Sequence, residues 1–379
     1  MKNYPMVKLG DICDILNGFA FKSENYVKSG LRIIRISNVQ KGYLEDKDPK
    51  FYPIDSIKSF DDFILKSDDI LMSLTGNVGR VAVIKDSFLP AVLNQRVACL
   101  RPNNNVLNSK YLFQILNSDF FEKNCIDNAK GIAQKNMSTE WLKLYRIPLP
   151  NLQIQYEIST NIGKITEIIE KRKEQLSKLD ELAKSRFIEM FGDVESNPNN
   201  LEISTLGREC LIVSGATPPT GKPEYWNGDI KWITPAEIGE SEYIISNTIR
   251  HITQKGKDIA HLELMPKGTI LLSSRAPIGK LAITNVEMTC NQGFKNLIPK
   301  SRLTSIFLYY YLKGIIPQIQ SMGRGATFKE ISKPIVSSIK ILVPHKREQV
   351  IFGSFIQRLD KSKFRMKKCL KMMSFIRHL

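Results

Sequence analysis

The sequence repeats itself at a distance of about 200 residues. The segment SLTGNVGRVAVI occupies residues 73–84, and the similar segment SSRAPIGKLAIT occupies residues 273–284. An Ile-Leu pair stands just upstream of each segment, at 70–71 and at 270–271. Matching segments with matching flanks favour an internal duplication over a chance recurrence.

The similarity continues along the whole chain. Matches at a shift of 197 are Leu9 with Leu206 and Asn94 with Asn291, and matches at a shift of 194 are Pro150 with Pro344 and Gln155 with Gln349. A gradual drift of the shift from 200 to 194 is what small loop insertions produce. Because two copies of about 190 residues are too few and too long for a solenoid, we predict a pseudo-two-fold repeat of one globular unit and one trailing segment.

The trailing segments are predicted to be long helices. Apolar residues recur at spacings of three and four, interrupted once in each segment by a basic residue, Arg172 or Lys363. This pattern, sustained for about four heptads, predicts a coiled coil in which the two narrow seams pack antiparallel over roughly 57 Å. The seam residues are Ile158, Ile162, Ile165, Ile169, Leu176 and Leu179, with Ala183, in the first copy and Phe352, Ile356, Leu359, Met366, Leu370 and Met373 in the second.

The globular units combine short β-branched runs with helical stretches. Runs such as LRIIRISNV and DIKWITPAEI alternate with turn signals, and helical patterns occupy residues 109–124 and 304–320. We therefore predict two mixed α/β (α+β) domains with loop-rich sheets, joined by two long antiparallel coiled-coil helices. The predicted bounds are 1–150 and 193–343 for the globular domains, and 151–192 and 344–379 for the helices.

Charge points to a polyanionic partner. The net charge is +17, and residues 345–379 alone hold ten basic and two acidic side chains. Nucleic acid is the commonest polyanion, although a lysine-rich composition also follows from an AT-rich genome. The absence of an apolar run of about 18 residues or of an apolar signal core, and six scattered cysteines without a CxxC pair, favour a cytoplasmic protein with no membrane contact.

Catalytic motifs are missing from the sequence. SSRAPIGK lacks the leading glycine and the trailing Ser or Thr of a phosphate-binding loop and is interpreted as a tight turn between strands. Gly323 and Gly325 are not followed by the third glycine of a dinucleotide site, and the four histidines lack metal-ligand spacing. No base-methylation motif, methyl-donor loop or nuclease carboxylate–lysine cluster is evident. We therefore predict a chain that recognises rather than catalyses, with no metal site.

Two pairs of matched polar loops are the candidate recognition sites. One pair is the turns at 77–80 and 277–280, and the other is KGIAQKN at 130–136 and RGATFKE at 324–330. Their side chains are of the types that pair with base edges or hold phosphates, although each loop alone could be a solvated surface turn. The candidates for DNA binding are Asn77, Arg80, Lys130, Gln134, Lys135, Arg275, Lys280, Arg324, Thr327 and Lys329.

Several segments resemble specificity subunits of type I restriction–modification systems. LDELAKSRFIEMFGD (179–193) is similar to the end of the central conserved helix in that family. SGATPPTGKPEYWNGDIKWITPAEIG (214–239) is similar to the opening of its target recognition domains, and LNGFAFKSENY (16–26) is a plainer version of it. RIPLPNLQIQYEI and KILVPHKREQVIF resemble the family's entries into its helices. The second helix departs from the family's pattern because it is rich in lysine and methionine.

The resemblance implies a division of labour. Two target recognition domains would each read one half of a bipartite, asymmetric site in double-stranded DNA, and the helices would set the spacing and dock two methyltransferase subunits. S-adenosylmethionine, ATP and Mg²⁺ would be bound by methyltransferase and restriction subunits, with no cofactor on this chain. The alternatives are a standalone methyltransferase or nuclease with an unfamiliar active site and a non-specific DNA-binding coiled-coil scaffold.

Overall fold

The computed structural model describes residues 4–129, 136–239, 243–275, 277–323 and 330–378, with side chains as far as Met373. The chain forms two compact units: unit 1 comprises Met1–Arg172 and Cys369–Leu379, and unit 2 comprises Lys173–Lys368. Two long helices, α4 (Leu152–Phe191) and α10 (Lys346–His378), carry the chain from one unit to the other.

Within the described residues, nine strands and three α-helices precede α4, apart from 3-10 helices. They are β1 (Met6–Lys8), β2 (Cys13–Asn17), β3 (Leu31–Ile34), β4 (Phe51–Tyr52), β5 (Ile70–Ser73), β6 (Val81–Val83), β7 (Ala91–Leu93), β8 (Val97–Pro102), α1 (Ser109–Leu116), α2 (Asp119–Asn128), α3 (Thr139–Leu144) and β9 (Arg146–Pro148). The predicted helix at 109–124 is thus two helices, because Ser118 caps a new one by accepting a hydrogen bond from Phe121 N.

A corresponding series of elements lies between α4 and α10. It consists of β10 (Glu202–Thr205), α5 (Leu206–Glu209), β11 (Cys210–Ser214), β12 (Trp226–Ile233), β13 (Ile244–Ile245), β14 (Arg250–Ile252), α6 (Gln254–Ile259), β15 (Ile270–Leu272), β16 (Leu281–Thr284), β17 (Thr289–Cys290), β18 (Lys295–Pro299), α7 (Ser305–Gly314), α8 (Ile316–Ser321), α9 (Lys333–Ser338) and β19 (Lys340–Val343). Each copy is therefore a mixed α+β unit, as predicted from the sequence.

The main sheet of each unit is buried on both faces. In unit 1 its order is β2-β8-β5-β6, and in unit 2 it is β11-β18-β15-β16-β13. Along β8, Ala98 and Leu100 join one apolar core with the helices, whereas Val97 and Cys99 join another core on the opposite face. Two covered faces explain why these strands are continuous apolar runs rather than alternating ones.

A second, three-stranded sheet packs beside each main sheet. Its order is β4-β3-β7 in unit 1 and β14-β12-β17 in unit 2, with one parallel and one antiparallel pair in each. Between this sheet and the preceding strand, the backbone passes close to itself at Gly18 and Gly215. A Cβ at Gly18 would lie 2.3 Å from Asn94 O, and one at Gly215 would lie 2.1 Å from Cys290 O, so only glycine fits.

The first and last strands of each globular region pair with each other. Strand β1 pairs antiparallel with β9, with Met6 opposite Pro148, and β10 pairs antiparallel with β19, with Glu202 opposite Val343. Each region is thereby closed before the chain enters the next long helix. The prolines after β9 and β19 cannot donate to a sheet and mark these boundaries.

The predicted seam positions on both long helices are buried or half-buried. In unit 2, the rings of Phe187 and Phe191 lie 5.4 and 5.7 Å from that of Phe352, so the end of α4 meets the start of α10. Further along, Asp180 Oδ1 lies 2.6 Å from Lys363 Nζ. The helices are therefore antiparallel in this unit. Lys363, which interrupts the seam, is only 13% exposed and has its charge paired with Asp180.

One buried glutamine fastens each long helix to its globular region. Gln349 Oε1 accepts from Thr304 N at 2.8 Å, and its Nε2 donates to Arg302 O and Pro344 O, both at 2.9 Å. Gln155 makes the same three bonds in unit 1, to Asn108 N, Val106 O and Pro150 O. The sequence match between Gln155 and Gln349 thus reflects an identical three-way junction.

We expect Gln349→Ala to destabilise unit 2 by about 2–4 kcal/mol, because it leaves one buried N–H group and two carbonyl groups without partners. The measurement is hydrogen exchange by mass spectrometry, which reports on each unit separately. Gln357→Ala is the control, since Gln357 is exposed on the same helix and its loss should change stability by less than about 0.5 kcal/mol. Equal protection in the two variants would contradict the role given to Gln349.

Candidate functional site

The same turn stands at the same place in both units. Between β5 and β6, Ser73 Oγ accepts from Arg80 N at 3.2 Å and donates to Asn77 O. Between β15 and β16, Ser273 Oγ accepts from Lys280 N at 2.8 Å and donates to Pro277 O at 2.7 Å. The described residues of SSRAPIGK therefore belong to a strand–turn–strand, as predicted.

Glycine is required at the same point of both turns. Gly79 N donates to Ser73 O and Gly279 N donates to Ser273 O, each at 3.0 Å. Their φ angles are 83° and 96°, in the left-handed region that favours glycine. The framework of the turn is thus fixed by serine and glycine, while the polar side chains it presents differ between units.

The ends of the second pair of loops lie against these turns. In unit 1, Asn136 forms a bridge with Thr75, and Met137 N donates to Leu74 O at 2.9 Å. In unit 2, Glu330 forms a bridge with Arg275. Within each unit, the structure therefore brings together the two regions singled out from the sequence. The candidates Lys130, Gln134, Lys135, Arg324, Thr327 and Lys329 lie outside the described residues.

In unit 1, the turn is held by a small charge network. Arg80 Nη1 donates to Gln40 Oε1 at 2.9 Å, and Arg80 Nε lies 3.9 Å from Glu122 Oε1. Lys41 Nζ pairs with Glu122 at 2.6 Å and also with Asp119. Burial acts to lower the pKa of Lys41, but its hydrogen bonds to Asp119 and Glu122 outweigh burial and raise it. Asn77 is exposed, and its side chain makes no hydrogen bond to other described residues.

In unit 2, the two predicted cations differ in role. Lys280 Nζ donates to Pro235 O at 2.9 Å and to Ile238 O at 3.0 Å, and so holds a neighbouring turn. Arg275 is 51% exposed, with its Nε 3.0 Å from Glu330 Oε2. Lys295 Nζ lies 3.4 Å from the same carboxylate, so the cluster keeps a net positive charge. Arg275 is therefore the better placed of the two for a contact with an anion.

A further arginine was missed from the sequence. The exposed Arg250 guanidinium lies 3.6 Å from the ring centroid of Trp226 and 5.1 Å from that of Trp232. Stacking on indole rings holds a guanidinium in place while leaving its charge available. The two tryptophans on strand β12 were a possible sequence signal for this stacking site. Arg250, however, reaches them only through the pairing of β14 with β12.

The described residues offer little for covalent or metal chemistry. Across the described ranges, no group of three or more His, Cys, Asp or Glu side chains could hold a metal ion. Burial raises the pKa of Cys13, Cys125 and Cys210 to about 12, so these thiols are protonated at neutral pH. Nor is any helix in the described part of the chain long and apolar enough to cross a membrane.

Comparison with known protein families gives two matches along the chain. Residues 1–179 and 198–371 each match the family described as "Type I restriction modification DNA specificity domain". The two matches cover the two copies of the repeat.

Individual relatives are named specificity subunits of type I restriction enzymes. The putative type I restriction enzyme MjaX specificity subunit of Methanocaldococcus jannaschii is 26% identical over 385 residues, covering 95% of this chain and 87% of that subunit. The MjaIX specificity subunit of the same organism is 37% identical over 171 residues, covering 44% of this chain and 40% of the relative. The EcoAI specificity subunit of Escherichia coli is 36% identical over 167 residues, covering 43% of this chain and 28% of the relative. The last two matches span less than half of each relative.

Solved structures share the fold. A chain from a study of complex assembly and conformational transition of the type I R-M system has a TM-score of 0.65 at 19% identity, covering 100% of this chain and 96% of that one. The S subunit of a type I restriction–modification system from M. genitalium has a TM-score of 0.60 at 18% identity, covering 99% and 94%. The predicted fold class is confirmed by these likenesses.

Proposed function

This chain belongs to the type I restriction–modification DNA specificity subunits, and from that premise we propose that each of its two units reads one half of a bipartite, asymmetric DNA site. The observation that carries the proposal is the pair of matching turns between β5 and β6 and between β15 and β16, which we call the twin turns. Their serine and glycine framework is the same in both units, but the turn of unit 1 presents Asn77 and Arg80 whereas that of unit 2 presents Arg275. Conserved geometry with different polar side chains suits two readers of different base sequences.

We propose the following division of the chain. Residues 1–150 and 193–343 are the two target recognition domains, and residues 151–192 and 344–379 are the helices that set the half-site spacing. The strand pairs that close each globular region support the first two bounds. We further propose that the chain assembles in the cytoplasm on double-stranded DNA with two methyltransferase subunits and with restriction subunits. The family of this chain and the relatives' names support partnership with DNA and with other subunits of a type I system.

In this proposal, the chain recognises the DNA sequence and its partner subunits catalyse the reactions. S-adenosylmethionine is bound by the methyltransferase subunits, and ATP and Mg²⁺ are bound by partner subunits. The chain itself is non-catalytic and binds no cofactor. Cys13 and Cys210, whose thiol pKa values are raised by burial, are accordingly given no nucleophilic role.

Mapping methylated adenines genome-wide, with and without the gene for this chain, tests the proposal. The expected result is one bipartite, asymmetric motif that is methylated only when the gene is present. Restoring the gene should restore the motif, and the methyltransferase gene must be intact in both strains. Methylation that is independent of the gene would contradict the proposal.

We expect Arg275→Ala to weaken binding of the assembled complex to its site by about 5- to 150-fold, equivalent to about 1–3 kcal/mol. If Arg275 contacts a phosphate, all sequences should weaken alike and the salt slope should fall by about one. If it contacts a base, preference at one position should relax. Binding titrations at several salt concentrations separate the two cases.

Glu330→Gln is the matched variant for this prediction. It removes the carboxylate beside Arg275 and Lys295 while keeping a similar shape. We therefore expect tighter binding to all sequences and a steeper salt dependence, which is the opposite of the effect of Arg275→Ala. If alanine at Asn77, Arg80, Arg275 and Lys280 leaves binding unchanged, the twin turns are only turns.

A further inference from the structure

The two units differ at one edge of the main sheet. In unit 2, β13 adds to the edge of β16 as a parallel strand, with Ile244 opposite Ile283. Ile283 N donates to Tyr243 O at 2.6 Å, and Asn285 N donates to Ile245 O at 2.8 Å. The short segment Tyr243–Ile245 therefore completes this edge with main-chain hydrogen bonds.

The first residue of this segment places an aromatic ring beside the edge. The Tyr243 ring stacks on that of Tyr309 with centroids 4.6 Å apart. Its hydroxyl donates to a carboxylate oxygen of Asp360 on α10. Tyr243 thus fills a space between the sheet edge, α7 and α10, all within unit 2.

In the part of unit 1 that the structure describes, no strand adds to the corresponding edge. β6 pairs with β5 in the same register as β16 with β15, so Val83 stands where Ile283 stands. The matching register turns the N–H of Val83 outward, as it turns that of Ile283. Among the described residues, no acceptor forms a hydrogen bond with the N–H group of Val83. The edge of β6, a strand of three residues, is thus open at Val83, whereas Val81 O accepts a hydrogen bond from Gly42 N at 2.8 Å.

A groove of about 560 Å³ lies beside this open edge. Phe113 stands five residues after the N-cap of α1, just as Tyr309 stands five residues after the N-cap of α7. The groove is therefore the counterpart of the space that Tyr243 fills in unit 2. Its lining includes Ile70, Val83, Phe113, Gln114, Tyr156 and Gly163.

The aromatic residue of unit 1 that matches Tyr243 in sequence does not line this groove. Tyr43 is 56% exposed, because its chain reverses between Val39 and Leu44. The reversal is fixed by Gly42 N, which donates to Val81 O at 2.8 Å, and by the ion pairs of Lys41. The groove is consequently available to a chain from elsewhere.

We propose that the groove and the β6 edge form a docking site for an extended segment of a partner protein. The segment adds to β6 as a parallel strand and inserts one aromatic side chain against Phe113, followed by two aliphatic residues. Tyr243–Ile245 is the template for this occupant. Thr166 stands where Asp360 stands, at the shift of 194, so the site should accept phenylalanine as readily as tyrosine.

The chemistry of the groove favours a peptide over other ligands. An open edge offers main-chain donors and acceptors at the spacing of a strand, which is the basis of recognition by strand addition. Lys110 is the only basic residue in the described lining, and Asp68 offsets it, so an anion such as a phosphate is poorly matched. The proposed partner is a protein, so this inference goes beyond the proposed DNA recognition.

The test uses a fluorescein-labelled peptide of residues 241–247, Ser-Glu-Tyr-Ile-Ile-Ser-Asn, and the full chain. We expect one peptide to bind per chain by fluorescence anisotropy, and a peptide with alanine in place of tyrosine to bind at least tenfold more weakly. Gly163→Phe should weaken binding at least tenfold by filling the groove. Gly163→Ala is the matched control, since a Cβ there meets no atom within 4 Å.

Tyr243→Ala tests whether the sheet edge itself is needed. It removes the ring from unit 2 but leaves the main-chain bonds of residues 243–245 to the β16 edge, so the number of peptides bound per chain should stay at one. A wild-type chain that binds no peptide would overturn the proposal, as would binding that Gly163→Phe leaves unchanged. Self-association that the peptide abolishes, measured by light scattering, would assign the site to a second copy of this chain and overturn the partner assignment.

Discussion

A chain in which residues 1–150 come from another specificity subunit should read a new first half-site and the old second half-site. The parental site should then be bound about 10³-fold or more less tightly, close to the non-specific level. The reason is that, under the proposed function, unit 1 reads its half-site with residues that all lie between its first and last strands. Methylated motifs mapped in cells that carry the hybrid would show the change directly.

The structure supports these junctions physically. Because β1 and β9 pair with each other, the transplanted segment brings both strands that close it. The junction must also preserve the bonds of Gln155 to Val106 O and Asn108 N, so the donor segment needs a capped helix at the same place. A donor without that cap should fold poorly, which circular dichroism and unfolding would reveal.

The reciprocal hybrid is the control. Replacing residues 193–343 should change the second half-site and leave the first intact, since β10 and β19 close that region in the same way. A hybrid that changes both half-sites, or neither, would contradict independent reading by the two units. Preserved methylation of any motif shows that assembly with the partner subunits is intact.

The duplicated fold was predictable because its signals are local. Seam residues recur at spacings that define a coiled coil, and apolar strands buried on both faces stand out as continuous runs. Gln155 and Gln349 were matched by position, but their role needs partners more than 40 residues away, such as Asn108 and Thr304. Long-range partners of this kind leave no local pattern.

The sheet edges show how identical residues can follow different paths. Tyr43 and Tyr243 match at a shift of 200, yet of the two only Tyr243 directly precedes an added strand, β13. The outcome depends on Lys41, whose ion pairs with Asp119 and Glu122 hold the first segment in a reversal. Likewise, the sequence does not reveal that Lys280 is occupied by two carbonyl oxygens while Arg275 is exposed.

Lengthening both long helices by one heptad should lengthen the spacer between the half-sites without changing the bases read. The natural insertion points follow Arg172 in α4 and Lys368 in α10, where the chain passes between its units. Seven residues add about 10 Å of helix and keep the 3.5-residue seam period. The added length corresponds to up to about 3 base pairs at about 3.4 Å each.

The doubly extended chain should therefore bind the parental site about 10³-fold less tightly and prefer a site whose spacer is up to about 3 base pairs longer. Binding to a series of duplexes that differ only in spacer length measures the shift. Insertion into one helix alone is the control: it puts the two seams out of register, so it should destabilise the chain rather than move the preference. If the doubly extended chain assembles and keeps the parental spacer, the distance is set by something other than these helices, and the methyltransferase subunits become the best remaining explanation.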